Sequence, residues 1–528
     1  MGISHQPNSK PNPYQFLLTW LLILLAALHS LLTQTHYFLN ADVAFLTQMA
    51  LYGQSGDLYT QYYEINPPLI VYIYRLFLAP YYWGELSIVS ALRFSMVTYL
   101  LLITLMCQYY LYKLKLRHAT LWVIAIALAF LFVLPAAFLQ REHIISAAMI
   151  GYFCMLTCRV NHIKTAMSMR VASITLAAFA VCLKPQYIIV LALLEGWLLW
   201  RHREIKSLFR AENIIIAIIG ISYVGFVYLY HPHYFSLVAP LASETYIAYF
   251  EGAESMLIRL GLLLLLLFLP YRYLTQQVTE VHLVQGLYLV AIAALSAFLV
   301  GRAGFSYHLL LTFTTLSIVL LAAWFYSLQE LIREPKARQV THCVFFFMML
   351  LFVRHFHFID IDKINYQDAS KTFLSTSNHL PEKLIEYQDY KVIYDALKPH
   401  VTSGQNVYMF GARLFPAHPI AMHLGLKWIG HFPVLWALPQ TLKATEGKKK
   451  NTRLAWISQV VTEDIKLHKP SAILVEENEP LLRYPLEFGF VEHFTQYQVF
   501  QNEFEHYQKL GSYPSPDGNW VIYLRQEE

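Results

Sequence analysis

Long apolar runs, separated by short polar connections, fill the first two thirds of the chain. They lie near 14–34, 86–112, 119–138, 144–159, 168–183, 186–200, 212–230, 257–271, 281–300, 309–329 and 339–358. At ~20 residues per crossing they predict about eleven transmembrane helices. The segment 67–83 is apolar and aromatic but holds Arg75 and Pro80, and reads as an interfacial helix. Before it, residues 43–52 predict a short helix that Asp42 opens and Gly53 ends. Beyond residue 358 the pattern changes. Strand-like runs at 406–410, 472–475 and 520–524 alternate with helix-like runs that include 419–428 and 452–468. The expected architecture is an α-helical polytopic membrane domain over 1–358, whose first outer loop spans 35–85 and carries interfacial helices. A mixed α/β domain outside the membrane follows over 359–528.

Composition agrees with the pattern. Of 528 residues, 57% are hydrophobic and only 14% charged, against about 25% charged in soluble domains. The formal net charge is +5. Its basic residues sit in short loops rather than in a tract, which gives topology and not nucleic-acid binding. The five cysteines fall in or beside apolar runs, with neither disulfide nor zinc spacing. The run Lys448 to Lys450 reads as a solvated loop, with anionic lipid headgroups as the alternative. The first apolar run reads as an uncleaved membrane helix rather than a signal peptide, given the runs that follow.

Lysine and arginine set the orientation. Lys113, Lys115, Arg117, Arg159, Lys164, Arg170, Arg201, Arg203, Lys206, Arg210, Arg272, Arg333, Lys336 and Arg338 fall in alternate connections, which should face the cytoplasm with the N-terminus. The other connections then face outward. They are poor in basic residues, so Arg141, Lys184 and Arg302 stand out.

Four outward patches carry the candidate chemistry: Asp42 with Glu64; Gln140, Arg141, Glu142 and His143; Lys184 with Pro185 and Tyr187; and the stretch 301–308, with Arg302, Tyr307 and His308. Together they place carboxylates, fixed cations and histidines at one membrane face. That mixture suits transfer of a group from a lipid phosphate. A carboxylate takes the proton of an attacking hydroxyl, and cations stabilise the departing phosphate. No glycine-rich nucleotide motif is present. Arg93, just inside a span, is placed to pair with a loop carboxylate. Structural roles compete for several of these residues. Asp42 suits a helix N-cap, Asp57 a turn, and Lys184 and Arg75 can snorkel. The loop 231–255, with His231, His233, Glu244 and Glu251, offers weak metal-ligand spacing.

The stretch from Asp42 through Met49, Gly56-Asp57-Leu58-Tyr59 and Glu64 to Pro67-Pro68-Leu69 resembles the first outer loop of the GT-C superfamily of polyprenyl-phosphate-sugar-dependent glycosyltransferases. Within it, the chain is most similar to the protein O-mannosyltransferases and the aminoarabinose transferases, in a bacterial, mannosyltransferase-like branch. The resemblance covers roughly 14–358 and is strongest over 41–112, where Arg93 also matches. Val43 stands in place of a second acid, and Asn66 in place of the lysine before the proline pair. The resemblance implies an inverting glycosyltransferase that moves a sugar from a polyprenyl phosphate to a hydroxyl acceptor on a glycan, lipid or protein. Asp42 would be the base, and Glu64 would orient the acceptor or sugar. Arg141, Glu142, His143, Lys184, Arg302, Tyr307, His308 and Arg93 would bind donor phosphate and sugar. If a metal takes part, Asp42 and Glu64 would hold Mg²⁺ or Mn²⁺. The competing readings are a flippase or transporter of lipid-linked saccharide, and a non-catalytic membrane assembly protein. A transporter would favour repeats and mid-membrane charge, and neither is visible here.

Overall fold

Each of the eleven apolar runs holds a helix in the computed structural model, which describes residues 13–54, 56–116, 118–278, 281–333, 339–348, 364–445, 452–477, 488–516 and 518–526. The helices are α1 (Pro13–Gln34), α2 (Ala41–Tyr52), α3 (Leu69–Phe77), α4 (Ala79–Tyr82), α5 (Ile88–Lys113), α6 (Ala119–Phe132), α7 (Arg141–Val160), α8 (Met167–Leu183), α9 (Ile188–His202), α10 (Ala211–Tyr230), α11 (Ala239–Thr245), α12 (Ala253–Gln277), α13 (Val281–Gly301) and α14 (Leu310–Arg333). Among the described residues, seven helices are long and apolar enough to cross a membrane. The helices at 119–132, 167–183 and 339–348 are apolar but shorter. The chain is a multi-pass membrane protein. The predicted boundary at 358, and Lys448 to Lys450, lie outside the described residues.

The chain forms two compact units, each assembled from three stretches. The first comprises Met1–Gln34, Arg93–Tyr223 and Glu251–Lys363. Its centre is α7, which is buried on nearly every side and packs against α8, α9, α13 and α14. A helix that is apolar all round can be satisfied only in such a position. Gly286 on α13 permits the close approach to α7, since a Cβ there would meet the Phe153 ring at 2.4 Å. The buried hydroxyls of Thr314 and Thr315 donate to the carbonyls of Leu310 and Leu311 one turn back, both at 2.8 Å. Polar groups are thereby satisfied inside the helix, as an apolar surrounding demands. At the periphery, α10 and α12 expose rows of Ile, Leu and Phe, a surface compatible with lipid. The cysteines are unpaired, and all but Cys343 are buried.

The second unit comprises Thr35–Leu92, Val224–Phe250 and Ile364–Glu528. Its sheet has the order β2-β1-β3-β5-β4, built from β1 (Asn406–Phe410), β2 (Lys427–Trp428), β3 (Ala472–Glu477), β4 (Tyr507–Ser515) and β5 (Gly518–Arg525). The first three strands run parallel, and β5 and β4 add as an antiparallel hairpin. The helix expected over 419–428 instead spans Ala417–Leu424. Gly425, at φ +69°, ends it, and the chain turns into β2.

Residues 35–92 are bonded to the C-terminal part of this unit. Ile385 N donates to His36 O (2.9 Å), Gln48 Nε2 to Leu426 O (2.8 Å), Tyr63 N to His431 O (2.6 Å) and Trp436 Nε1 to Tyr63 O (3.1 Å). At this seam His431 pairs with the buried carboxylate of Asp464, which also accepts from His431 N at 3.0 Å. Burial alone would lower the imidazole, but the hydrogen bond and charge of Asp464 outweigh it and raise His431 above its ordinary 6.5. The pair's contribution is therefore complete below 6.5 and is lost as pH rises through the raised value. Thermal unfolding of the wild type should show this loss as pH rises above about 6.5, and Asp464→Asn should flatten it.

Candidate functional site

In the first unit, three connections meet at one end of the bundle. α7 begins at Arg141, α8 ends at Leu183, and 301–308 joins α13 to α14. Because α7 and α8 pack against each other in opposite senses, Lys184 falls beside the first turn of α7. The Lys184 ammonium donates to Glu142 Oε1, both groups being buried. His308 Nε2 lies 3.7 Å from the same oxygen. His308 Nδ1 is 2.9 Å from Ala303 O, an acceptor that assigns the proton to Nδ1. The unprotonated Nε2 edge therefore faces Glu142 and is placed to take up a proton. Tyr187 Oη donates to His308 O at 3.4 Å. Glu142 Oε2 is buried without a hydrogen-bond partner among the described residues.

Charge decides what this group can hold. Among the described residues of this group, Arg141 and Lys184 outnumber the carboxylate of Glu142, so these four side chains sum to a positive charge even with His308 neutral. It also lies at the N-terminus of a 20-residue helix, where the backbone dipole favours an anion.

The other candidates fall as follows. His143, next to Glu142 but about 100° round the helix, turns to Phe130 O on α6 at 2.7 Å. Tyr307 stacks on Phe305 and packs edge-on against His308. Arg302 is exposed at φ +52°, and its carbonyl accepts from Glu251 N at 2.9 Å. Its side chain has no ion-pair partner among the described residues. Arg93 is buried within α5.

Glu251 straps the 301–308 loop. It pairs with Arg259 at 2.9 Å, and Arg259 Nη1 donates to Gly304 O at 2.8 Å. A Cβ at Gly304 would lie 1.6 Å from Glu251 Oε2. Gly304→Ala should therefore displace Glu251 and lower stability by about 1–3 kcal/mol, the usual cost of overpacking. Thermal unfolding of the solubilised chain reads this directly.

Asp42 and Glu64 belong to the second unit. The capping role suggested for Asp42 is taken by Asn40, whose Oδ1 accepts from Asp42 N at 3.1 Å. Asp42 instead occupies the first turn of α2, half-buried. Arg75 closes the other end of that helix, donating to Ala50 O and Gly53 O, both at 3.1 Å. Glu64 is buried, and its Oε1 accepts from the backbone and side-chain amides of Asn66. The residue in the lysine position thus orients this carboxylate.

Asp57 caps the turn Leu58–Thr60 and accepts from His233 N at 2.8 Å. Burial would raise its carboxyl, but the amides and charge of His233 and the Tyr59 amide hold it below the ordinary carboxylate range. His231 Nδ1 accepts from Leu58 N (3.2 Å), so Nε2–H donates to Tyr72 Oη (2.9 Å). Both ring nitrogens are engaged, leaving no lone pair for a metal. Among the described residues no group of three or more His, Cys, Asp or Glu is arranged to hold one.

No family model matches the sequence, and neither does any curated protein. The fold is similar to the crystal structures of ArnT from Cupriavidus metallidurans. The apo form aligns with TM-score 0.52 at 11% identity, covering 97% of this chain and 98% of that one. The form bound to undecaprenyl phosphate aligns with TM-score 0.51 at 11% identity, covering 96% and 97%. The helical membrane architecture with a C-terminal mixed sheet expected from the sequence is the fold observed, and it is the fold of those ArnT structures.

Proposed function

We propose that this chain, which has the ArnT-like GT-C fold, is an inverting glycosyltransferase using a polyprenyl-phosphate-linked sugar and a hydroxyl acceptor. It works at the outer face of a bacterial inner membrane, with its N-terminus in the cytoplasm. The reading is supported by a fold shared, end to end, with a protein crystallised with undecaprenyl phosphate. The observation that carries it is the buried, net-positive cluster of Arg141, Glu142, Lys184 and His308 at the start of α7.

The proposed step is a direct displacement. The acceptor oxygen attacks the anomeric carbon as the bond from that carbon to the phosphate oxygen breaks. Its proton passes to Asp42, and the bond pair leaves with the polyprenyl phosphate. Positive charge gathers on the sugar and negative charge on the phosphate as the bond lengthens. Arg141 and Lys184 stabilise the second charge, with the exposed Arg302 as a further contact. Glu142 fixes the Lys184 ammonium while its own charge keeps the site from binding product too tightly. Glu64, oriented by Asn66, accepts from an acceptor or sugar hydroxyl. Every step uses protein groups, and none is routed through a metal.

The test is mass spectrometry of surface glycans and lipids from cells with and without the protein. Loss of one sugar residue from a defined product is expected on deletion. Unchanged glycans, with lipid-linked precursor moved across sealed vesicles, would replace the transferase by a transporter.

A further inference from the structure

A second concentration of charge lies at the opposite end of the first unit. Arg159 is 17 residues after Glu142 on α7, roughly 26 Å along the helix at ~1.5 Å per residue. There the loops α7–α8 and α9–α10 enclose a cavity of about 540 Å³ lined by Arg159, Lys164, Arg170, His202, Lys206 and Arg210, among others. Loops of this kind collect positive charge for topological reasons alone. Three observations go beyond that.

The arginines are built in. Buried Glu212 holds Arg159 at 2.7 Å and Arg170 at 3.4 Å, and Glu195 holds both Arg210 and the hydroxyl of Tyr152. Such pairs fix the guanidinium planes before any ligand arrives, and a fixed fork suits the oxygens of a phosphate. The charge is also not cancelled. Lys164 and Lys206 have no ion-pair partner among the described residues, so the site keeps an excess of cations. Finally, the same three arginines and their partner Glu212 border a second cavity of about 220 Å³ whose other walls are Met167, Ile174, Ala211 and Ile215. A polar chamber and one with an apolar side thus share a wall of paired guanidinium groups, and Met167 and Ile214 beside it are exposed.

We infer that this double cavity binds an anionic phospholipid, its phosphate on Arg159, Arg170 and Arg210 and the start of an acyl chain along the apolar side of the second chamber. A free phosphate ion would use the first chamber and leave the second without purpose. Basic pockets between transmembrane helices have this chemistry. The ligand is independent of the proposed transfer reaction, because its site lies at the other end of α7.

Native mass spectrometry of the detergent-solubilised full chain tests this with three probes: phosphatidylglycerol, phosphatidylcholine and inorganic phosphate. Phosphatidylglycerol should be retained over phosphatidylcholine, and Lys164→Gln with Lys206→Gln should weaken that retention by about tenfold or more. These two lysines are exposed and outside the buried pairs, so the fold is preserved. Lys113→Gln with Lys115→Gln, on a different loop, should leave retention unchanged. Equal retention of the two lipids, or equal loss in both double variants, would overturn the site in favour of diffuse surface charge. Displacement of phosphatidylglycerol by millimolar inorganic phosphate would overturn it in favour of a soluble anion. None of these readouts depends on glycosyl transfer, so failure here and failure of the transferase reading are separable.

Discussion

Asp42→Asn should abolish glycan transfer while leaving the protein folded and inserted. Removing a general base costs about a hundredfold to ten-thousandfold in rate, and the amide cannot take the acceptor's proton. The variant is informative because the local structure does not depend on the carboxylate for its cap. Asn40 caps α2 through the backbone N–H of residue 42, and Arg75 closes the other end. The amide keeps the shape of the side chain, so thermal unfolding should move little. Product formed in vitro from a polyprenyl-phosphate sugar, normalised to inserted protein, is the measurement. Near-wild-type turnover in the variant would remove Asp42 from the reaction and pass the base to another group. His308, whose Nε2 edge is presented toward Glu142, would be the first to test.

The helices were legible because an apolar run of crossing length has few alternatives in a chain so poor in charge. The central strands β1, β3 and β5 were legible for a similar reason: short runs rich in branched and aromatic residues, bounded by turn formers. β4 was not, because an edge strand carrying Lys509, Gly511 and Pro514, with a register shift between Lys509 and Gly511, lacks that signature. The N-cap of α2 was misassigned between two good capping residues two positions apart. Only the extended backbone at Asn40, φ −56° and ψ 141°, decides between them.

For the site, sequence could place Glu142, Lys184 and His308 in connections on the same side of the membrane, since charge bias sets the sidedness. It could not say that Glu142 faces Lys184 while His143 faces Phe130 O, because that depends on the rotation of α7 within the bundle. Nor could it bring residues 35–92 together with the C-terminal sheet in one unit. The bonds that do so, such as His36 O with Ile385 N, join residues hundreds of positions apart and leave no local pattern. The need for glycine at 304 was not legible either, because its cause is the side chain of Glu251, far away in the sequence.

The second large effect is expected at the buried pair. Lys184→Met should destabilise the helical unit by about 3–5 kcal/mol, because it strands a buried carboxylate without its cation. Glu142 is already short of a partner at Oε2, so it has no hydrogen bond in reserve. Glu142→Gln should cost less, since a neutral amide is easier to bury than an unpaired charge. The double variant, Glu142→Gln with Lys184→Met, should recover much of the stability lost by Lys184→Met alone, as neutralising both partners of a buried pair often does. Transfer should behave differently. If Lys184 stabilises the departing phosphate, activity falls in Lys184→Met and stays low in the double variant, although its fold is restored. A structural pair would instead show activity returning together with stability. Thermal unfolding and turnover, measured on the same three preparations, separate the two cases. Recovery of both in the double variant would leave Arg141 and Arg302 as the groups on which phosphate binding must rest.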